Sequence, residues 1–422
     1  MNRFESVVLL LLGMASSARG DWPEFRGPTG QGVAAEAKVP THWSDSENVA
    51  WKVEVPGLAW SSPTIVGNRI FLTTAVEIPG ESKSYSLEAL ALDKKTGRPL
   101  WTRKLFQHAA DVQIHSKNSH ASPTPLVADG VVYVHFGPHG TAALTLEGEV
   151  IWTNTELTDS PQHGNGGSPA LAGEVLVLCC DGTDKQFVVG LDRRTGTIRW
   201  KTDRDTSPTK GFSFSTPLLL TINGRTQAIC PASDAVFAYA PETGEEIWRC
   251  RYADGYSVVP RPVYAGGLVF VCTGYNKPKL LAIDPTGTGD VTETHLRWEL
   301  DKGVPHNPSV VALGEELYLV SDGGIASCVD LKSGKVQWQE RLGGKFSASL
   351  LAAGGHVYFQ DEHGKAIVVR AGKTFEKVAE NEFVKDERTF ASYAVDGGAL
   401  FIRSEKHLFR IEEGAKLQVS SN

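Results

Sequence analysis

The chain has 422 residues, of which 41% are hydrophobic and 22% charged, the balance of a folded globular protein rather than a disordered or membrane-embedded one. A formal charge of −7 argues against a nucleic-acid partner, because phosphate binding draws on a surplus of Lys and Arg on one face. Six cysteines in a chain of this length do not make a disulfide-built scaffold, since a core this large holds itself together.

Residues 1–20 read as a signal peptide. Arg3 precedes an apolar run at residues 7–12, and the small residues Ala15, Ser16, Ser17 and Ala18 follow. Cleavage after Ala18 or Gly20 would leave a periplasmic or secreted chain, of net charge near −8 when residues 1–20 are removed. The apolar run is too short to span a bilayer, and no cysteine stands nearby to carry a lipid anchor. An extension at residues 21–48 comes next, opening Asp21-Trp-Pro-Glu-Phe-Arg-Gly-Pro-Thr-Gly.

From there one tryptophan returns at near-constant spacing: Trp51, Trp101, Trp152, Trp200, Trp248, Trp298 and Trp338. Five of the seven have a glycine four residues earlier, at Gly97, Gly148, Gly196, Gly244 and Gly334. A period of 40 to 51 residues marks a repeat architecture. Each unit opens on a small residue and usually proline (Ser62-Pro63, Ser122-Pro123, Ser168-Pro169, Thr216-Pro217, Arg261-Pro262, Asn307-Pro308). A hairpin turn such as Asp129-Gly130 or Asn223-Gly224 follows, then a β-prone run such as Val131-Val-Tyr-Val-His. The third strand ends in a turn of the form Asp93-Lys-Lys-Thr96-Gly97, repeated at Asp192 and Asp330, and the tryptophan lies on the fourth strand.

Four antiparallel strands at this period predict an all-β, eight-bladed β-propeller over residues 49–411, with a tail at 412–422. The eighth unit holds three strands. The spare strand at 49–55, which carries Trp51, is expected to pair into it and close the ring, removing exposed edges. Blade seven has no recurrent tryptophan, and Phe375 is the expected substitute.

The Asp-x-x-Thr/Ser-Gly-x-x-x-Trp units resemble the repeats of the quinoprotein-like (pyrroloquinoline quinone repeat) propeller superfamily, in particular its BamB-like branch. The resemblance spans about residues 49–411 and speaks for fold, since these residues pack blades. For the dehydrogenases of that superfamily it implies pyrroloquinoline quinone and calcium on the axis, often against two adjacent joined cysteines. Cys179-Cys180 is this chain's only match, and it falls in a β-run whose alternate side chains face opposite sheet surfaces. For the BamB-like branch the resemblance implies protein partners in the cell envelope.

Outside the repeats, the polar segments before blades two and three are the candidate site. They read His115-Ser-Lys117-Asn118-Ser-His120 and His163-Gly-Asn165. With Lys210, Arg261, His306 and Asn307 at equivalent places in later units, these residues are expected to gather at one channel mouth and hold a polar or anionic ligand. No catalytic residue stands out. No metal is expected, because the histidines show no fixed ligand spacing. Asp181-Gly-Thr-Asp184 looks like a calcium-loop fragment and reads better as a hairpin turn.

The expected function is therefore a binding or scaffold role in the envelope, possessing no cofactor. Two alternatives stand beside it: a quinone-dependent dehydrogenase, and a carbohydrate or small-ligand binder on the axis. The last predicts aromatic side chains beside the polar mouth, with Trp60 and Phe212 as candidates.

Overall fold

The computed structural model describes residues 20–417 apart from 82, 109–113, 207, 383 and 385. Residues 1–19 of the expected signal peptide and the last five of the tail lie outside the described residues. The architecture is the all-β, eight-bladed propeller of four-stranded antiparallel blades. Blade 1 runs from Thr64–Val66 to Pro99–His108, and blade 8 begins at Ala394–Asp396. Blade 8 takes its outer strand from far earlier in the chain. Val49–Glu54 pairs antiparallel with His407–Glu412, with Lys52 opposite Phe409. Among the described residues no helix is long and apolar enough to cross a membrane.

The recurrent tryptophan works between blades. Trp101 of blade 1 donates its indole N–H to the Leu146 carbonyl of blade 2 at 2.9 Å, Trp152 to Arg193 at 3.0 Å, and Trp298 to Leu331 at 3.1 Å. The glycine under each ring belongs to the next blade. A Cβ on Gly148 would lie 2.6 Å from Trp101 Cδ2, and one on Gly334 would lie 2.7 Å from Trp298 Cε3. Trp51 docks in the same way onto Lys94 and Gly97 of blade 1. Trp248 departs from the pattern. Its N–H goes to Gln227 Oε1, and Gly289–Asp290, from the long turn of blade 5, pairs alongside it.

Blade 7 corrects one expectation. Phe375 lies in the turn before the outer strand, its ring 5.2 Å from that of Trp338. Ala379, opposite Val368, holds the tryptophan position. The N-terminal extension fills the space. Trp43 is wholly buried, stacks on Tyr358 of blade 7, and donates its amide N–H to Asn381 Oδ1. It belongs to the same core cluster as Ala379 and Phe401 of blade 8.

A belt of hydroxyl groups circles the axis. The amide of Ser62 donates to Thr124 Oγ1, Thr124 to Ser168 Oγ and Ser168 to Thr216 Oγ1, each at 2.9 Å. Arg261 then donates to Ser309, Ser309 to Ser349, Ser349 to Ser392 and Ser392 back to Ser62, at 2.9 to 3.1 Å. One junction lacks the link, between Thr216 and Arg261, because arginine stands where a hydroxyl should. The belt also corrects the repeat register. The equivalent positions in blades 2 and 6 are Thr124 and Ser309, two residues after Ser122 and Asn307.

Candidate functional site: an axial cavity sealed at one end

The loops that enter the inner strands surround a cavity of about 620 Å³ on the propeller axis. That volume suits a small organic molecule. Phe25 lines its floor, and the segment around it closes that end. Trp22 pairs its backbone with Ile65 of blade 1, and the Pro23 carbonyl accepts from Val127 of blade 2. Arg26 is fully buried and donates to the carbonyls of Gln31 and Val310 at 2.7 and 2.6 Å. Burial, reinforced by the neighbouring charge of Arg261, pushes its pKa down to about 9.

Arg261 therefore serves the seal rather than the mouth. Its guanidinium donates to the carbonyl of Phe25, to Glu24 Oε2 at 2.9 Å and to the Pro217 carbonyl at 3.1 Å. Two more expected residues lie elsewhere. His120 packs against Tyr85 and His108, outside the cavity lining. Asn165 turns its side chain onto Gly137 of blade 2 and offers only its carbonyl, to Asn118 Nδ2 at 3.3 Å.

Lys117, Asn118, His163, Lys210, His306 and Asn307 do line the cavity. Part of their polarity is spent on each other. Asn118 Nδ2 donates to the His163 carbonyl at 2.8 Å, joining the loops of blades 2 and 3. Lys117 reaches across the mouth to the buried carboxylate of Glu362 in blade 7, at 2.6 Å. The His306 amide and the Asn307 side chain both donate to Asp322. Lys210 is different. Its Nζ lies 4.6 Å above the ring of Tyr256 and 3.1 Å from the Tyr256 hydroxyl, with no carboxylate partner among the described residues. Burial, followed by the charges of His115 and Lys210, lowers the pKa of His163, so its ring is neutral at pH 7.

The larger surprise is aromatic. His115, His163, Phe212, Tyr256, Tyr275 and His306 follow one another around the wall with successive ring centroids 5.3 to 5.7 Å apart. Phe214 packs behind Phe212 at 6.0 Å. Across the cavity Trp60 meets Phe390 edge to face at 4.7 Å, with Arg388 over both rings. Trp60 and Phe212 were legible as candidates. Phe214, Tyr256 and Tyr275 were not, because nothing in their local sequence separates a channel-facing ring from a core one.

The fold raises the question of pyrroloquinoline quinone and calcium, and the residues do not fit that pair. Calcium takes six to eight oxygen ligands. The lining offers one carboxylate among the described residues, Asp322, already engaged by blade 6 donors. Cys179 and Cys180 are free thiols on opposite faces of their strand. Cys180 packs between blades 2 and 3, and Cys179 packs toward blade 4. Neither lines the cavity. The Asp181 segment is a turn, closed by Gly182 N–H to the Lys185 carbonyl at 2.8 Å, and Asp181 itself is ion-paired to Arg204.

Comparison with known proteins accords with this architecture. The family model described as outer membrane protein assembly factor BamB matches residues 42–211 and 292–405. The chain belongs to that BamB family. Among solved structures it is similar to BamB from Moraxella catarrhalis, with a TM-score of 0.60 at 13% identity, covering 87% of this chain and 97% of that one. It is also similar to the quinohemoprotein alcohol dehydrogenase from Comamonas testosteroni, with a TM-score of 0.70 at 12% identity, covering 97% and 83%. A curated relative, polyvinylalcohol dehydrogenase from a Pseudomonas species, is 26% identical over 243 residues. That match covers 47% of this chain and about a third (35%) of the relative's length. At such identities the solved structures speak for the fold.

Proposed function

We propose that this protein is a binding propeller of the cell envelope that holds a small organic anion with a flat apolar face in its axial cavity. One observation carries the reading: an arc of aromatic rings lines the wall of a cavity closed at one end, and Lys210 stands on that arc without a carboxylate partner. Rings offer flat contact area at low entropic cost, and the ammonium selects negative charge. Acidic sugars and aromatic carboxylates share that chemistry. Membership of the BamB family supports the envelope location.

Calorimetric titration with a panel of both compound classes tests the idea. We expect micromolar binding by at least one class. Lys210→Gln should weaken the anionic ligand at least ~10-fold, about 1.4 kcal/mol, while sparing a neutral analogue. Tyr275→Ala should weaken both. Absence of binding by either class, or affinities indifferent to Lys210→Gln, would overturn the proposal.

The family description favours a second reading, a scaffold for a protein partner in outer-membrane protein assembly. Leu100, Val150, Ile151, Ile198 and Val336 stand exposed on outer strands. They are distributed one or two to a blade, which is ordinary for a surface. Crosslinking in intact envelopes, with charge substitutions at Val150 and Ile151, distinguishes this reading. Loss of a defined crosslinked partner supports it.

A further inference from the structure

Three histidines converge outside the axial cavity. His108 ends the outer strand of blade 1, His120 stands in the connection to blade 2, and His139 ends the short 3-10 turn Gly137–His139 of blade 2. The His108 ring centroid lies 4.7 Å from that of His120 and 4.1 Å from that of His139. One ring nitrogen from each falls within 4.8 Å of the other two. We infer that His108, His120 and His139 form a binding site for a late first-row divalent cation such as Zn²⁺.

The geometry suits the ion. Zn–N bonds of about 2.0–2.1 Å place tetrahedral ligand nitrogens about 3.3 Å apart, so each pair must close by at most about 1.5 Å. Two of the ligands lie on a loop and a turn, where small side-chain rotations bring this about. The turn is well seated. Gly140 lies against the Phe106 ring of blade 1, and Phe106 packs on Phe136 at 5.9 Å. His139 is thereby fixed relative to the strand that carries His108. His108 is buried while His120 and His139 are partly open.

Sequence spacing hides the set, because its members come from a strand end, a loop and a turn in two blades.

The site has a structural consequence. Lys117 and Asn118, which reach the cavity mouth, stand three and two residues before His120. A bound ion would tie His120, two residues after Asn118, to the turn of blade 2.

The test uses the whole protein after chelator treatment and dialysis. Titration with Zn²⁺ should show one equivalent bound, and substitution by Co²⁺ should give the visible absorption of a four-coordinate site with three imidazole ligands. His120→Ala combined with His139→Ala should weaken binding at least ~100-fold, since even outer-shell changes cost 10–100-fold. His295→Ala, on blade 5, should leave binding unchanged. Should the double variant fold poorly, the Co²⁺ spectrum of the unaltered protein decides. No stoichiometric Zn²⁺ binding, a six-coordinate Co²⁺ spectrum, or undiminished binding by a folded double variant would overturn the assignment.

Discussion

Gly148 carries a φ of +84°, and a Cβ there would meet the Trp101 indole at 2.6 Å. Gly224 has a similar φ of +78° but faces open space. The pair separates backbone strain from packing. Gly224→Ala should cost only the conformational penalty, about 1 kcal/mol, and Gly148→Ala clearly more, about 2–4 kcal/mol, because the indole must also move. Urea unfolding of the two variants measures the difference, and equal losses would deny the docking contact its role. Asp159 offers a pH test. Burial first, then the charges of Asp181 and Asp184, raises its carboxyl pKa to about 7. An acid raised in the folded state makes the fold bind more protons than the unfolded chain between about pH 4 and 7, so its contribution to stability declines across that window as pH rises. Asp159→Asn should therefore be more stable than the parent at pH 8, with the gap narrowing at pH 5. A gap that stays constant would show that Asp159 does not titrate there. The sequence exposed the glycines through their spacing. It could not expose Asp159, whose burial depends on blade 3 residues more than twenty positions away.

At the scale of strands and loops, periodic information survived and aperiodic information did not. The eight units, their hairpins and the inter-blade tryptophan were readable because each repeats. Where one copy deviates, its neighbours mislead. Ser122-Pro123 and Asn307-Pro308 mimic the unit opening two residues early, while the hydroxyl belt selects Thr124 and Ser309. Phe375 looks like a substituted tryptophan from its own blade's sequence, yet the missing volume is supplied by Trp43, more than 330 residues earlier. Arg261 occupies a unit opening, the position that in neighbouring blades leads to the mouth. Its position in the repeat is right, but its long side chain turns to the other end of the axis, to Phe25 and Glu24. Loop positions give no such direction: six of nine expected mouth residues line the cavity, and nothing in the sequence marks Tyr256 and Tyr275 as lining it.

For the molecule as a whole, ring closure by residues 49–55 remains an expectation with a direct test. Val49–Glu54 is paired in register with His407–Glu412, and Trp51 docks on blade 1. A chain beginning at residue 57 should lose cooperative unfolding and expose an apolar blade edge to dye binding. A cooperative transition with unchanged midpoint would remove this strand from any role in closure. The fold class was legible from end to end, and the function was not, because ring folds reserve their repeating residues for holding blades together and leave binding to the loops.

The N-terminal extension has a kinetic side. Residues 22–54 touch blades 1, 2, 5, 6 and 7, and they supply the last strand of blade 8. Trp22 and Trp51 meet their partners early, at Ile65 and Lys94 of blade 1, whereas Trp43 and the strand Val49–Glu54 wait for Tyr358 and His407–Glu412, more than 300 residues later. Contacts of such long sequence separation form late and slowly. Trp43 therefore stays uncovered until blade 7 has been made, and the strand Val49–Glu54 stays unpaired until blade 8 has.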